Sequence, residues 1–520
     1  MVGAARARGR QSGARAGARR PRLRRRAHRA CLPRRGFRRR RRAGGTPVAL
    51  TDSRAPTVTT TAALPAGPTP RLALYRGRFD PPGLHHVAIL QALLQRFDRV
   101  VAMPWGPMPA RPIDENVNPV YRARMIDLAF RRVDPRVVVD LRDLEGATIS
   151  DSRALEADPA LAGYVVFHVV EADALDEDRA RLHDGARLVV IATAEAVAHV
   201  PGGHERVVVG GDVAGSVMRK RLYEGQGVDD LVPAAVARVI DRHGLYRGTE
   251  PRISARARFD SPRAFVVHDE RNERAAAWAR LFAPWSTTAP DDADLIVVLG
   301  GDGSMLHAIQ THWRRRVPFL GVNAGHLGFL LNDPRGLVDG VAQVEGLLRS
   351  DLVLHHLPML HVEHQKKDGT WGADLTFNDA WVERSSGQSA WLEVKVDDKV
   401  RLPRLVCDGV LVSTAAGSTA YARSMGAQPL LLDTPAWLVV GSNVMDPIHW
   451  KSALVGQGSV VEVRSLHVEK RPLMGFMHGV PLGEVTALRA RMSRAASVEL
   501  AFVEAHDMAE KIARIQFPSP

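Results

Sequence analysis

Short apolar runs alternate with amphipathic helical patterns from Arg71 to about Gly248, and this alternation limits the fold of the chain more than any other feature. Short apolar runs bounded by turn residues predict buried strands. The predicted strands are Leu72–Tyr75, Arg99–Met103, Val137–Leu141, Tyr164–Val170 and Leu188–Ala192, and the predicted helices are Val87–Arg96, Val120–Arg131 and Val232–His243. Strands that alternate with helices predict a parallel, doubly wound α/β sheet.

A second alternating unit follows a polar, basic segment, Thr249–Pro262, which we interpret as a linker. Beyond Leu352 the pattern changes to short β-like segments separated by turn residues, which predicts a β-rich module. The predicted elements of this half are strands at Ala264–Val267, Leu295–Leu299 and Phe319–Gly321, helices at Glu273–Phe282 and Ser304–Trp313, and β segments at Trp391–Val396, Gly409–Ser413, Val460–Val463 and Ser497–Phe502.

The first 42 residues contain 18 arginines and no aspartate, glutamate or lysine. Without those 18 charges the formal net charge falls from +14 to −4, so the rest of the chain is slightly acidic. An Arg-rich arm could bind nucleic acid or anionic lipid, or act as an organelle transit peptide. Like-charged, low-complexity sequence cannot bury a core, so we favour a disordered extension that binds neither nucleic acid nor membrane.

Cysteine content and apolar run length bear on the environment of the protein. Two cysteines, Cys31 and Cys407, cannot build a disulfide framework, so we expect a reducing, cytoplasmic setting. No run approaches the roughly 18 apolar residues that a membrane-spanning helix needs.

A glycine-dense turn follows the predicted strand Leu295–Leu299, where residues 300–304 read Gly-Gly-Asp-Gly-Ser. Glycines let the backbone approach a ligand closely, and the N–H groups of the helix start face an anion. A carboxylate repels phosphate, so Asp302 is interpreted as a general base or a metal ligand. The alternative is a tight turn in which Asp302 caps the helix.

Three segments follow this loop in order. Residues 323–330 read Asn-Ala-Gly-His-Leu-Gly-Phe-Leu, residues 377–384 read Phe-Asn-Asp-Ala-Trp-Val-Glu-Arg, and residues 407–421 read Cys-Asp-Gly-Val-Leu-Val-Ser-Thr-Ala-Ala-Gly-Ser-Thr-Ala-Tyr. Together with the loop, this set resembles the NAD kinases, from about Ala264 to Phe517. Lipid and sugar kinases are the alternative, because they share the glycine-Asp loop, but they lack the later segments.

The resemblance implies roles for individual residues. Asp302 would take the proton from the 2′-hydroxyl of the adenosine ribose of NAD, which attacks the terminal phosphoryl group of ATP or polyphosphate. A divalent cation, magnesium or manganese, would neutralise charge at that group. The residues implied in phosphate or ATP binding are Gly300, Gly301, Gly303, Ser304 and Asn323. The residues implied in NAD binding are Asp302, Gly303, Asn378, Asp379, Asp408, Thr419, Ala420, Tyr421, Ala422, Arg423 and Ser424.

The N-terminal unit has a motif of its own. Residues 72–86 read Leu-Ala-Leu-Tyr-Arg-Gly-Arg-Phe-Asp-Pro-Pro-Gly-Leu-His-His, and with Met218–Leu222 they resemble the nicotinate/nicotinamide mononucleotide adenylyltransferases. In that family two histidines at the helix start bind ATP phosphates. Here Gly83 stands in the first histidine position and His85 where glycine is usual. The resemblance places a nucleotide site at His85, His86 and Arg219.

The missing histidine leads us to expect weak or absent adenylyl transfer, since each lost contact to the leaving pyrophosphate costs about 2–4 kcal/mol. A rotated His85 in the vacant place would restore activity and make the chain bifunctional. The predicted organisation is a tail and linker at 1–70, a nucleotidyltransferase-like α/β domain at 71–247, a kinase α/β domain at 263–350 and a kinase β-rich domain at 351–517. We expect a homo-oligomer that binds NAD and ATP.

Overall fold

The computed structural model describes residues 69–517 except 107–117, 147–149, 202–203, 211–214 and 326–327. The predicted disordered tail, with Cys31, lies outside the described residues. Among the residues that are described, no helix is long and apolar enough to cross a membrane.

The first half forms one parallel sheet covered by helices. Its strands are β1 (Arg71–Gly77), β2 (Arg99–Pro104), β3 (Val137–Val139), β4 (Val165–Glu171), β5 (Leu188–Thr193) and β6 (Glu205–Val209). Its helices are α1 (Leu84–Leu93), α2 (Pro119–Phe130), α3 (Arg142–Glu145), α4 (Ser152–Glu156), α5 (Leu175–Arg179), α6 (Gly215–Tyr223) and α7 (Ala234–His243). The strand order β3-β2-β1-β4-β5-β6 confirms the predicted doubly wound sheet. The order reverses between β1 and β4, where such sheets bind ligands.

The second half begins with another parallel α/β segment. Its elements are β7 (Ser254–Ala257), β8 (Ala264–His268), α8 (Glu273–Leu281), β9 (Leu295–Gly300), α9 (Asp302–His312), β10 (Phe319–Asn323) and α10 (Val341–Leu348). The expected linker Thr249–Pro262 is therefore not wholly irregular, because it contains β7. A four-residue strand in a polar segment is too short to show an alternation of apolar and polar residues in the sequence.

The remaining elements are mostly antiparallel strands. They are β11 (Leu352–Gln365), β12 (Trp371–Thr376), β13 (Asp379–Arg384), β14 (Ala390–Val396), β15 (Lys399–Cys407), β16 (Gly409–Ser413), α11 (Tyr421–Ser424), β17 (Ala436–Ser442), β18 (Ser452–Gly456), β19 (Val460–Ser465), β20 (Leu473–Met477), β21 (Val480–Val485), β22 (Ala487–Val503) and α12 (Met508–Gln516). This confirms the predicted β-rich module.

The α/β and β-rich parts share a sheet. Strand β22 pairs in parallel with β10 and antiparallel with β11 and β19. One ten-stranded sheet therefore contains strands from before and after residue 350. A second sheet, ordered β18-β17-β16-β13-β20-β21, packs against it. Their shared core contains Val362 and Leu392 from the first sheet and Val410 and Trp437 from the second.

A buried charge cluster joins the two halves of the chain. Glu499 of β22 is fully buried, and its carboxylate accepts hydrogen bonds from Arg124 of α2 and from two residues of α7, Arg242 at 2.9 Å and His243 at 3.0 Å. Burial alone would raise the pKa of Glu499, but the guanidinium groups of Arg124 and Arg242 hold that pKa well below its usual range. The Glu499 carboxylate is therefore ionised, and side chains of the N-terminal half balance its charge.

A second buried ion pair lies beside the first. Asp127 of α2 accepts a hydrogen bond from Arg316 at 2.8 Å, and Arg124 donates to the backbone oxygen of Arg316 at 2.6 Å. Ala495 of β22 belongs to the hydrophobic core of the N-terminal sheet. Charges and apolar contacts therefore fix α2 against β22.

Glu499→Gln is expected to destabilise the protein by about 3–5 kcal/mol at pH 7.5, because it leaves the buried guanidinium of Arg124 and the largely buried one of Arg242 without their counter-charge. Urea unfolding measures this. Glu504→Gln is the matched control, since Glu504 pairs with Arg256 at an exposed position of the same segment, where an ion pair contributes about 1 kcal/mol or less. Equal losses in the two variants would contradict a special role for Glu499.

Candidate functional site

The glycine loop lies where two parallel strands end side by side. Asn323, the last residue of β10, is in register with Gly300, the last residue of β9, and the N–H of Ala324 donates to the Gly300 oxygen at 2.8 Å. A Cβ atom added at Gly301 or Gly303 would meet nothing within 4 Å. The loop backbone is therefore open on the side from which a ligand can approach.

Asp302 is the first residue of α9, yet its carboxylate does not cap that helix. One oxygen accepts the N–H of Phe329 at 3.0 Å and the other accepts the N–H of Leu330 at 2.9 Å. Burial raises the pKa of Asp302, while these two N–H groups and the ammonium of Lys511 act against the rise. The carboxylate is thus held rigidly across the loop, which disfavours the capping alternative.

Lys511 was not found from the sequence. It lies on α12, about two hundred residues after the loop, and its ammonium donates to the backbone oxygens of Gly328 at 2.8 Å and Leu331 at 2.7 Å. It thereby fixes the segment that holds Asp302. A single lysine on a C-terminal amphipathic helix gives no sequence signal for this role.

Asn378 leaves a buried polar side-chain atom without a partner among the described residues, and the carboxyl of Asp379 follows it in the chain. Both residues are buried, and the Oδ1 atom of Asn378 has no hydrogen bond among the described residues. Burial raises the pKa of Asp379 to about 6. Buried polar groups are ordinarily hydrogen-bonded, so this unsatisfied pair is suited to a polar ligand.

The segment after β16 closes around this pair. Thr414 donates its N–H to the backbone oxygen of Asn378 at 2.8 Å, and a Cβ atom on Gly417 would lie only 2.5 Å from that same backbone oxygen. Position 417 therefore requires glycine for a close approach. Tyr421 stands edge-on to Trp381 with ring centroids 5.1 Å apart. Burial raises the pKa of Tyr421, and the charges of Glu383 and Asp379 add to the rise.

One core draws the loop and this segment together. It contains Met305 of α9, Leu330 next to the Asp302 contact, Phe377 next to Asn378, and Ala416 next to Gly417. Chain neighbours of Asp302, Asn378 and Gly417 therefore share one hydrophobic core.

Other predicted residues have different surroundings. Asp408 accepts hydrogen bonds from Arg384 at 2.5 Å and Asn443 at 2.8 Å. It directly precedes Gly409 at the start of β16, whereas Asp379 pairs with Ser413 at the other end of that strand. The side chain of Ala422 is fully buried among Leu411 and its neighbours, so its assignment to the NAD site stays a prediction that concerns the backbone of this residue. The residues left around Tyr421 with accessible surface are Thr419, Ala420, Arg423 and Ser424.

Asn323 and Ser304 lie beside the loop, but with local roles. The Oδ1 atom of Asn323 accepts the N–H of Gly325 at 2.9 Å, so the side chain shapes its own turn. The side chain of Ser304 stands over Gly300, where a Cβ atom would collide with it. Gly300 therefore needs to be glycine for packing, whereas Gly301 and Gly303 face open space.

The N-terminal site shows an exchange of positions. An ideal Cβ atom on Gly83 would lie 2.5 Å from the Nδ1 atom of His85, so the His85 ring covers the place of the missing side chain. His86 accepts the N–H of Gly83 through Nδ1 at 2.9 Å, and burial lowers its pKa well below 6.5. Arg219 donates to the Asp80 oxygen at 2.6 Å, which brings it to the same turn.

A cavity of about 1270 Å³ separates this turn from the kinase-like half. Its walls include Arg219 and Tyr246 on one side and Phe377 and Thr414 on the other. Phe377 directly precedes Asn378, so the cavity reaches the back of the segment that carries the unsatisfied pair.

Comparison with known proteins gives two family matches. A family model described as the ATP-NAD kinase N-terminal domain matches residues 232–333, and one described as cytidylyltransferase-like matches residues 74–202. The NAD kinase of Brucella suis is 32% identical over 257 residues, which cover 48% of this chain and 95% of that protein. The NAD kinase of Caulobacter vibrioides is 29% identical over 263 residues, which cover 49% and 98%.

Two solved structures also resemble the chain. A yeast NADH kinase complexed with NADH is 17% identical with a TM-score of 0.42, covering 50% of this chain and 90% of that one. An NAD kinase from Archaeoglobus fulgidus in complex with ATP is 19% identical with a TM-score of 0.37, covering 48% and 98%.

Asp379→Asn is expected to stabilise the protein at pH 7–8, because ionising a carboxyl whose pKa is raised from 3.8 to about 6 costs at most about 3 kcal/mol. The raised pKa means that the fold is favoured while Asp379 is protonated, and this stability is lost as pH rises through 6. The difference in Tm between variant and wild type should therefore shrink from pH 8 to pH 4.5. Asp398→Asn, at an exposed turn, is the control; a pH-independent difference would contradict the account.

Proposed function

The chain belongs to the NAD kinase family of phosphotransferases, and on that basis we propose that it transfers the terminal phosphoryl group of ATP, or of polyphosphate, to the 2′-hydroxyl of the adenosine ribose of NAD. The observation that carries the proposal is the Asp302 carboxylate, fixed by two backbone N–H groups beside an open glycine loop. Such a carboxylate is positioned to receive a proton where phosphates bind.

Asp302 acts in this proposal as the general base. Each carboxylate oxygen accepts one N–H and keeps a further lone pair for the substrate hydroxyl. The proton of the 2′-hydroxyl moves to Asp302, the O2′–P bond forms, and the bond from that phosphorus to the leaving diphosphate oxygen breaks. The raised pKa of Asp302 improves its basicity, because catalytic bases work best near the operating pH.

NAD is held in this proposal by the unsatisfied polar pair. The Oδ1 atom of Asn378 and the carboxylate of Asp379 accept hydrogen bonds from hydroxyl or amide donors of the dinucleotide. Tyr421, 41% exposed, offers a ring and a hydroxyl at the edge of the same site. Thr419, Ala420, Arg423 and Ser424, which are partly or fully exposed, line the approach.

A divalent cation fits this arrangement through one protein carboxylate. Magnesium in phosphoryl-transfer sites is bound by one or two carboxylates together with substrate phosphates. Asp302 is the carboxylate directly beside Gly301 and Gly303, and it would hold the cation together with the phosphates of the donor. When bound, the cation would neutralise charge at the transferred phosphoryl group.

The N-terminal half is a second candidate active site, for adenylyl transfer to a mononucleotide. The observation in its favour is the His85 ring over Gly83, which puts an imidazole near the position that the resemblance assigns to a phosphate ligand. His86 is engaged with the Gly83 N–H and is held neutral by burial. One displaced imidazole replaces a pair of histidines, so we propose weak activity.

Asp302→Asn is expected to lower the rate of NADP formation at least 100-fold while NAD affinity stays within tenfold, because loss of the base removes a transition-state interaction. The rate is followed with an NADP-specific dehydrogenase, and NAD affinity by calorimetry. Asp291→Asn is the matched control, since Asp291 is an exposed partner of Arg315. A Tm within a few degrees of wild type excludes unfolding, and retention of most of the rate would reject Asp302 as the base.

The paired exchange Gly83→His with His85→Gly is expected to raise dinucleotide formation from ATP and nicotinamide mononucleotide, because it restores the histidine order of the resembling family. Gly83→His alone should not, since its Cβ atom would collide with the His85 ring. His85→Ala should lower the residual activity, with exposed His199→Ala as control. Full activity in the His85→Ala variant would show that His85 has no part in the reaction.

A further inference from the structure

Three side chains of metal-binding types converge in the N-terminal half. One ligand atom each from Glu156, His168 and His183 lie within 4.8 Å of one another. The Oε1 atom of Glu156 is 2.8 Å from Nε2 of His168 and 3.7 Å from Nε2 of His183. Neither the kinase site nor the adenylyltransferase-like site uses any of these residues.

Separate elements deliver the three groups. Glu156 ends helix α4, His168 lies in the middle of strand β4, and His183 lies in the turn before β5. Val166 and Val170 lie two residues before and after His168, so all three side chains point to the same face of the sheet. Val166 packs with Leu155 of α4, and neither valine belongs to the core that α1, α2 and α7 form on the other face. The cluster is thus on the opposite face of the sheet from the contact with the kinase half.

The donor set suits a cation, because it combines one carboxylate with two imidazoles. The guanidinium of Arg76 is paired with the buried carboxylate of Asp143 at 2.9 Å. Because the guanidinium of Arg76 has its own carboxylate partner, the carboxylate of Glu156 is left to the two histidines.

A hydroxyl orients the outer histidine. Ser152 is buried one turn before Glu156 on α4, and its Oγ atom accepts the backbone N–H of His183 at 2.9 Å. The same Oγ lies 3.1 Å from the Nδ1 atom of the His183 ring. This fixes the ring with Nε2 towards Glu156, which is the arrangement by which supporting hydrogen bonds orient metal-binding histidines.

A second cavity touches the cluster at His183. It has a volume of about 480 Å³, and its walls include His183, Leu182 and Phe167. The side chains of Glu156 and His183 are 27% and 16% exposed, whereas that of His168 is 2% exposed. An ion can therefore enter from the His183 side and keep a water as its fourth ligand.

We propose that Glu156, His168 and His183 bind a zinc ion. Two imidazoles and one carboxylate form a donor set typical of zinc sites that keep an open coordination position. The ion takes the place between Glu156 and the two rings, where the 2.8 Å and 3.7 Å separations bracket the spacing of ligands around a tetrahedral ion. Binding ties α4, β4 and the turn before β5 together.

The test uses the full-length protein, stripped with a chelator and dialysed against zinc without nucleotide. Metal analysis should show one more zinc per chain in wild type than in Glu156→Gln or His183→Ala, and Co²⁺ should give a visible absorption band that both variants lose. Glu156→Gln keeps an acceptor for His168, so its fold is preserved. His199→Ala, an exposed histidine of the same half, is the control and should bind as wild type does.

Ser152→Ala should weaken zinc binding about 10-fold or more without abolishing it, because it removes the hydrogen bond that orients the His183 ring. The rate of NADP formation should be unchanged in Glu156→Gln, since the cluster faces away from the kinase half. Equal zinc content in wild type, Glu156→Gln and His183→Ala, or no retained zinc in wild type, would overturn the proposal. Loss of zinc equally in His199→Ala would show non-specific histidine binding and would overturn it too.

Discussion

The buried carboxylate of Glu499 constrains the whole molecule. It sits on the strand that is central to the large sheet, and every partner that compensates its charge belongs to the other half of the chain. A buried charge without partners is strongly destabilising, so the two halves cannot separate without exposing or unpairing it. The N-terminal unit is therefore part of the environment in which the kinase sheet is stable, whatever its own chemistry.

That sheet in turn determines the site. Strand β22 lies next to β10, β10 lies next to β9, and the last residues of β9 and β10 put Gly300 beside Asn323. Lys511, which follows β22, fixes the segment that holds Asp302. The glycine loop is thus positioned by parallel strand ends, and the Asp302 carboxylate by backbone N–H groups of the connection after β10. The unpartnered Oδ1 atom of Asn378 and the carboxyl of Asp379 are the groups to which we assign the NAD contacts.

Much of this could be predicted from local patterns. The apolar run before Gly300 and the turn residues after it dictate a strand, a glycine loop and a helix, and Gly409–Ser413 was predicted with its observed bounds. Long-range features could not be. Glu499 reads as one acidic residue in a strand, and its partner Arg124 is 375 residues away. The motif around Ala422 gives the order of residues along the chain, but it does not show that this side chain is buried, because burial depends on which face of a short helix packs against the core.

The central claim is that this chain phosphorylates the 2′-hydroxyl of NAD, and one measurement tests it most directly. Purified full-length protein is incubated with NAD, ATP and magnesium, and the product is analysed by ³¹P NMR and with an NADP-specific dehydrogenase, with 2′-deoxy-NAD in a parallel reaction. The account predicts a 2′-phosphomonoester that the dehydrogenase accepts, formed in equal amount with ADP, and no product from the deoxy compound. ATP consumption without NADP, or phosphorylation of 2′-deoxy-NAD at the same rate, would contradict it.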